Sequence, residues 1–125
     1  MTLRITGALF LLLTAVSPLG AVAKLALKVT PSVAFAPATL MVRTTIEPDA
    51  QNRTVEIVAE SSDFYRSSQF ELEGDRSPRT TMLELHGLPR GTYEVSATLM
   101  GPGSAVRART KQEVEVMGGD GDGGD

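Results

Sequence analysis

Tyr93-Glu94-Val95-Ser96-Ala97-Thr98-Leu99-Met100-Gly101-Pro102-Gly103-Ser104-Ala105-Val106-Arg107-Ala108 is the stretch on which the fold class of this chain turns. Its first half sets Tyr93, Val95, Ala97 and Leu99 against Glu94, Ser96, Thr98 and Met100. That is a period of two, the signature of an extended strand with one buried face. Gly101-Pro102-Gly103-Ser104 breaks the alternation, and Ala105 to Met117 resumes it with Val106, Ala108, Val114 and Val116 in one phase. The two runs read as an antiparallel hairpin. A four-residue loop sets Met100 opposite Ala105, Leu99 opposite Val106, Ala97 opposite Ala108 and Glu94 opposite Lys111. Both apolar rows then fall on one face, with an outward pair of opposite charge between the strands.

The same period recurs upstream. Leu25, Leu27 and Val29 alternate with polar or small residues, and Val33 and Phe35 continue in the same phase beyond Pro31, as a broken edge strand would. Leu40, Val42, Thr44 and Ile46 form the next row, and Pro48 to Asn52 is a turn. Val55, Ile57 and Ala59 follow, then a weaker run from Tyr65 to Glu73 and a clear one at Thr81, Leu83 and Leu85. About seven short strands separated by turn signals, with no amphipathic helix among them, predict an all-β antiparallel sandwich.

Leu85-His86-Gly87-Leu88-Pro89-Arg90-Gly91-Thr92-Tyr93-Glu94-Val95 resembles the corner of immunoglobulin-like and fibronectin type III-like modules, where a leucine, a glycine turn and a tyrosine precede an alternating strand. The resemblance extends over residues 24–117 and implies a seven-stranded Ig-like sandwich, similar to the accessory modules of bacterial envelope and secreted proteins. It makes Leu88, Gly91 and Tyr93 a structural corner, with the tyrosine ring inside and its hydroxyl bonded to nearby backbone. The chain has neither the paired cysteines nor the tryptophan of antibody-type domains.

At the N-terminus, Arg4 precedes an apolar run from Gly7 to Val16, followed by Ser17-Pro18-Leu19-Gly20 and Ala21-Val22-Ala23. This pattern predicts a helical signal peptide over residues 1–23, with the favoured cut between Ala23 and Lys24. The apolar run is too short and too soon broken to span a bilayer, so no membrane span is expected after cleavage. The expected localisation is periplasmic or secreted. Without Arg4 the chain carries 11 basic and 15 acidic residues, a net charge of −4, which argues against nucleic acid as a partner. Residues 118–125, Gly-Gly-Asp-Gly-Asp-Gly-Gly-Asp, contain no apolar residue and predict a disordered tail.

Candidate chemistry is sparse. His86 is the only histidine and there is no cysteine, so no metal-ligand set or nucleophile–base constellation stands out, and no cofactor is expected. The carboxylate pairs Glu56/Glu60, Glu71/Glu73 and Glu113/Glu115 fall on outward faces. Asn52-Arg53-Thr54 matches a glycosylation motif, relevant only in a eukaryotic secretory pathway. Two surfaces suit recognition. Phe64, Tyr65 and Arg66 lie among small polar residues, a composition of adaptable binding loops, although one of the two aromatics has to face the core. Arg107, Arg109 and Lys111 share the outer side of the last strand, placed to meet an anionic glycan or acidic partner, or to deter edge-to-edge pairing. The expected function is non-enzymatic: binding or scaffolding of an envelope or extracellular protein or glycan. The alternatives are a small-ligand protein for carbohydrate or metal, or a structural subunit assembling by strand addition.

Overall fold

The computed structural model describes residues 24–118; the expected leader, and the expected tail beyond Gly118, lie outside the described residues. Eight strands follow one another: β1 (Leu25–Thr30), β2 (Val33–Phe35), β3 (Ala38–Ile46), β4 (Thr54–Glu60), β5 (Tyr65–Glu71), β6 (Thr80–Leu88), β7 (Gly91–Met100) and β8 (Val106–Met117). They form two sheets, of order β1-β3-β6 and β2-β8-β7-β4-β5. The all-β expectation holds, with eight strands in place of seven.

The extra strand arises at Pro31. Leu25 to Phe35 reads as one interrupted edge strand, but the chain leaves the smaller sheet after Thr30 and joins the larger one at Val33. There β2 runs parallel to β8, with Val33 opposite Glu115 and Phe35 opposite Met117, so the pairing is not wholly antiparallel. Changing sheets also reverses the phase. Ala34 packs against the core, while Val33 and Phe35 are 57% and 68% exposed.

Elsewhere the alternation places side chains as a half-buried strand requires. β3 contributes Leu40, Val42 and Ile46 to the core, β4 contributes Val55, Ile57 and Ala59, and β7 contributes Tyr93, Val95, Ala97 and Leu99. Each large apolar side chain so enclosed stabilises the fold by about 1.5–3 kcal/mol over its exposed state.

The final hairpin corrects its expected register. Leu99 faces Ala108, Thr98 faces Arg109 and Glu94 faces Glu113, a slip of two residues that preserves which row is buried. The loop is longer than four residues: the Gly101 N–H donates to the Ala105 carbonyl at 2.7 Å around a turn at Pro102–Ser104. Met100 then faces Val106, and Arg107 is the extra residue of a bulge. A side chain at Gly101 would lie 2.9 Å from Arg107 Cδ and 3.0 Å from the Gln51 carbonyl, so any larger residue here would have to displace Arg107.

Two side chains close the seams between the sheets. On one side, the Gln112 amide accepts from the Val29 N–H and donates to the Val29 carbonyl, both at 2.9 Å, replacing a strand partner for β1. On the other, Arg66 Nη1 donates to the His86 carbonyl at 2.8 Å, linking β5 to β6.

Candidate functional site

The bulge turns Arg107 inward. Its Nη1 donates to Asn52 Oδ1, and its Nη2 lies 3.4 Å from Asp49 Oδ2. Asn52 is 1% exposed, and its Nδ2 donates to the Glu47 carbonyl at 3.2 Å. The Gln51 N–H donates to Asp49 Oδ1 at 2.8 Å and holds that carboxyl below its ordinary pKa, with Arg107 adding to the effect. Arg107 therefore fastens the β3–β4 turn to β8 and does not belong to an outward stripe; a strand without the bulge would have kept it there. The amide of the Asn52 glycosylation motif is likewise internal.

The loop residues divide by role. Phe64 packs edge-on against Tyr93, with ring centroids 5.9 Å apart and planes at 70°. The Arg66 guanidinium sits over the Phe64 ring, 5.1 Å from its centroid, so this cation holds the seam. Tyr65, between them in sequence, is 62% exposed.

At the β6–β7 crossover, Leu88 and Tyr93 are fully buried. The Tyr93 hydroxyl donates to the Pro89 carbonyl at 2.7 Å, and burial raises its pKa. Gly91 adopts φ of +153°, where a side chain would also press on Ser61 Cβ at 3.3 Å.

Arg109 and Lys111 remain exposed on the outer face of the five-stranded sheet. Lys111 Nζ meets Glu94 Oε2 at 3.2 Å, a diagonal ion pair across β7 and β8. The register also puts Glu60 opposite Glu94 and Glu94 opposite Glu113, a row of like charges that Lys111 partly offsets. Glu60 and Glu94 of this row, with Glu56, line a concavity of about 350 Å³ that Tyr65 and Arg109 also border and to which Val58, Met100 and Val106 contribute apolar surface. Val106 is 65% exposed. Its place in the apolar phase of β8 marked it as inward; the bulge puts it on this surface.

His86 is exposed and bonded outward, its Nε2 3.1 Å from Glu84 Oε1 and its Nδ1 3.5 Å from Thr39 Oγ1. Among the described residues no three His, Cys, Asp or Glu side chains gather as a metal site.

No protein-family model matches the chain, and no curated protein matches it in sequence. Solved structures do. The superoxide reductase (neelaredoxin) from Ignicoccus hospitalis superposes with a TM-score of 0.58 over 78% of this chain and 85% of that one, at 12% identity. Its T24K variant gives the same score and identity over 84% of its length. A family 76 glycoside hydrolase from a bovine Bacteroides thetaiotaomicron strain aligns with a TM-score of 0.56 and 18% identity, over 72% of this chain and 19% of that one. The likeness is one of fold. Identities this low, on an architecture that hosts many chemistries, carry no activity across.

Proposed function

We propose that this chain is an exported, non-enzymatic module with an immunoglobulin-like or fibronectin type III-like sandwich, which binds or scaffolds a protein or glycan of the cell envelope or extracellular space. The observation that carries this reading is the outer face of the five-stranded sheet. Tyr65 and Val106 stand 62% and 65% exposed there, with Val58 and Met100 in the concavity they share. An apolar centre edged by an aromatic, by Arg109 and by Glu56, Glu60 and Glu94 has the apolar core and charged rim of a recognition patch. Several other polar side chains support the frame: Arg66 and Gln112 close seams, Arg107 holds a turn and Tyr93 locks the crossover.

The test is a crosslinking capture from envelope and secreted fractions, comparing the protein with a Tyr65→Ser/Val106→Ser variant whose circular dichroism is unchanged. Enrichment of one protein or glycan, lost in the variant, is the expected result. Enrichment that the variant retains would remove this face from the reading, and no enrichment by either protein would remove the reading itself.

A further inference from the structure

Beyond the recognition patch, part of a sheet edge is unfilled among the described residues. Sheet order places β8 between β7 and β2, yet β2 covers only Glu115 to Met117. The Glu115 N–H donates to the Ser32 carbonyl and the Met117 carbonyl accepts from the Ala36 N–H, so odd-numbered residues of β8 direct their backbone groups away from β7. Arg109 and Lys111 share that parity and, among the described residues, have no strand on that side. Across the gap, Val29 turns its backbone outward to Gln112. Leu25 and Leu27 have the same parity, and among the described residues no strand pairs with them on the side away from β3.

Where β1 and β8 diverge, they enclose a groove of about 660 Å³. Leu25 and Ala108 give it an apolar floor, and Lys24, Arg79 and Arg109 surround it with Glu47 as the lone acid. None of the three cations forms an ion pair among the described residues. Cleavage after Ala23 would add the α-ammonium of Lys24 to the same mouth.

We propose that this groove accepts a short, extended, acidic segment of a partner protein, added to the free edge of β8 in line with β2. The proposal rests on the reading of the chain as a binding module and names its partner's chemistry. Unpaired backbone groups favour a peptide over an acyl chain or a compact anion, because main-chain bonds supply affinity in strand addition and alternate side chains supply specificity. The edge from Ala108 to Lys111 accommodates about four residues. Alternate side chains of the guest would rest on Leu25 and Ala108, while its carboxylates meet Lys24, Arg79 and Arg109. The same cations repel basic edges, which gives selectivity as well as attraction.

The experiment uses the purified protein and three fluorescein-labelled hexapeptides: one alternating Glu with Val or Thr, one with Lys in place of Glu, and one acidic peptide N-methylated along its pairing edge. The acidic peptide is expected to bind saturably, to shift the backbone amide resonances of Arg109 and Lys111, and to weaken about tenfold or more in Arg79→Glu/Arg109→Glu. The Lys and N-methylated peptides are expected to fail. Both substituted residues are exposed, so circular dichroism should report an intact fold. Absence of saturable acidic-peptide binding up to millimolar concentration, or binding indifferent to the double substitution, overturns the proposal. Equal binding by the N-methylated peptide overturns strand addition in favour of a simple anion site. Partner capture at the Tyr65 face alongside any of those results would leave the binding reading standing without strand addition at this groove.

Discussion

Tyr93 combines an apolar ring, packed against Phe64, with a hydroxyl that ties the β6–β7 crossover to Pro89. Tyr93→Phe keeps the ring and removes the bond, so a loss of about 0.5–1.5 kcal/mol in denaturant unfolding is expected. The phenol's pKa is raised by burial above its ordinary 10.0, so the stability it contributes is full below that value and lost as pH rises through the higher folded value. The phenylalanine variant should lack this alkaline limb. Asp49 has the opposite sign. Its carboxyl is held low, first by the Gln51 N–H, so its contribution is full above the ordinary 3.8 and lost as pH falls through the lowered value. Asp49→Asn should flatten the acid side of the stability profile, and an unchanged acid limb would show that another carboxylate governs it. Asn52 is more demanding. Truncation to alanine leaves the Arg107 guanidinium and the Glu47 carbonyl without that partner, at an expected cost of about 1–3 kcal/mol.

For the elements, alternation in sequence carried most of the information, because a period of two states which side of a strand is wet without stating what it pairs with. Tyr93, Val95, Ala97 and Leu99 are buried in the row their spacing indicates, and β3 follows its alternation from Ala38 to Ile46. Register and strand count were less legible. The slip in the last hairpin depends on left-handed backbone at Gly103 and Ser104 and on the close approach at Gly101, which only a folded loop reveals. Arg107 and Val106 exchange their expected environments for that one reason. The reversal at Val33 and Phe35 depends on a change of sheet at Pro31, and two sequence runs in one phase cannot announce it. Gln112 gave no pattern at all, since a lone glutamine beside charged neighbours reads as surface. Its role yields a test. Gln112→Ala strips the Val29 N–H and carbonyl of their partners, so the Val29 amide should exchange faster with solvent, with a stability loss of about 1–3 kcal/mol. Unaltered exchange would mean that β1 is held by β3 and its apolar side chains alone.

Chain order and sheet order disagree throughout the described residues. Only the β4–β5 and β7–β8 connections stay within a sheet, and every other one crosses between the layers. Neither sheet is therefore a continuous piece of chain able to form by itself. Each must be assembled around the side chains of the other, in a protein with no cysteine to hold a partial structure. Pairings between distant segments, such as Val29 with Gln112, 83 residues apart, place folding among slow non-local topologies, on a scale of about milliseconds to seconds. The same arrangement predicts one cooperative unfolding transition. Leu40 in the smaller sheet and Leu99 in the larger are both fully buried in a single core. Leu40→Ala and Leu99→Ala should each lower stability by about 2–5 kcal/mol. Backbone dichroism and tyrosine fluorescence should still report the same midpoint in both variants, although Tyr93 belongs to the larger sheet and Leu40 to the smaller. If Leu40→Ala displaced the dichroism midpoint and left the fluorescence transition in place, the layers would be unfolding separately and the interleaved connections would not couple them.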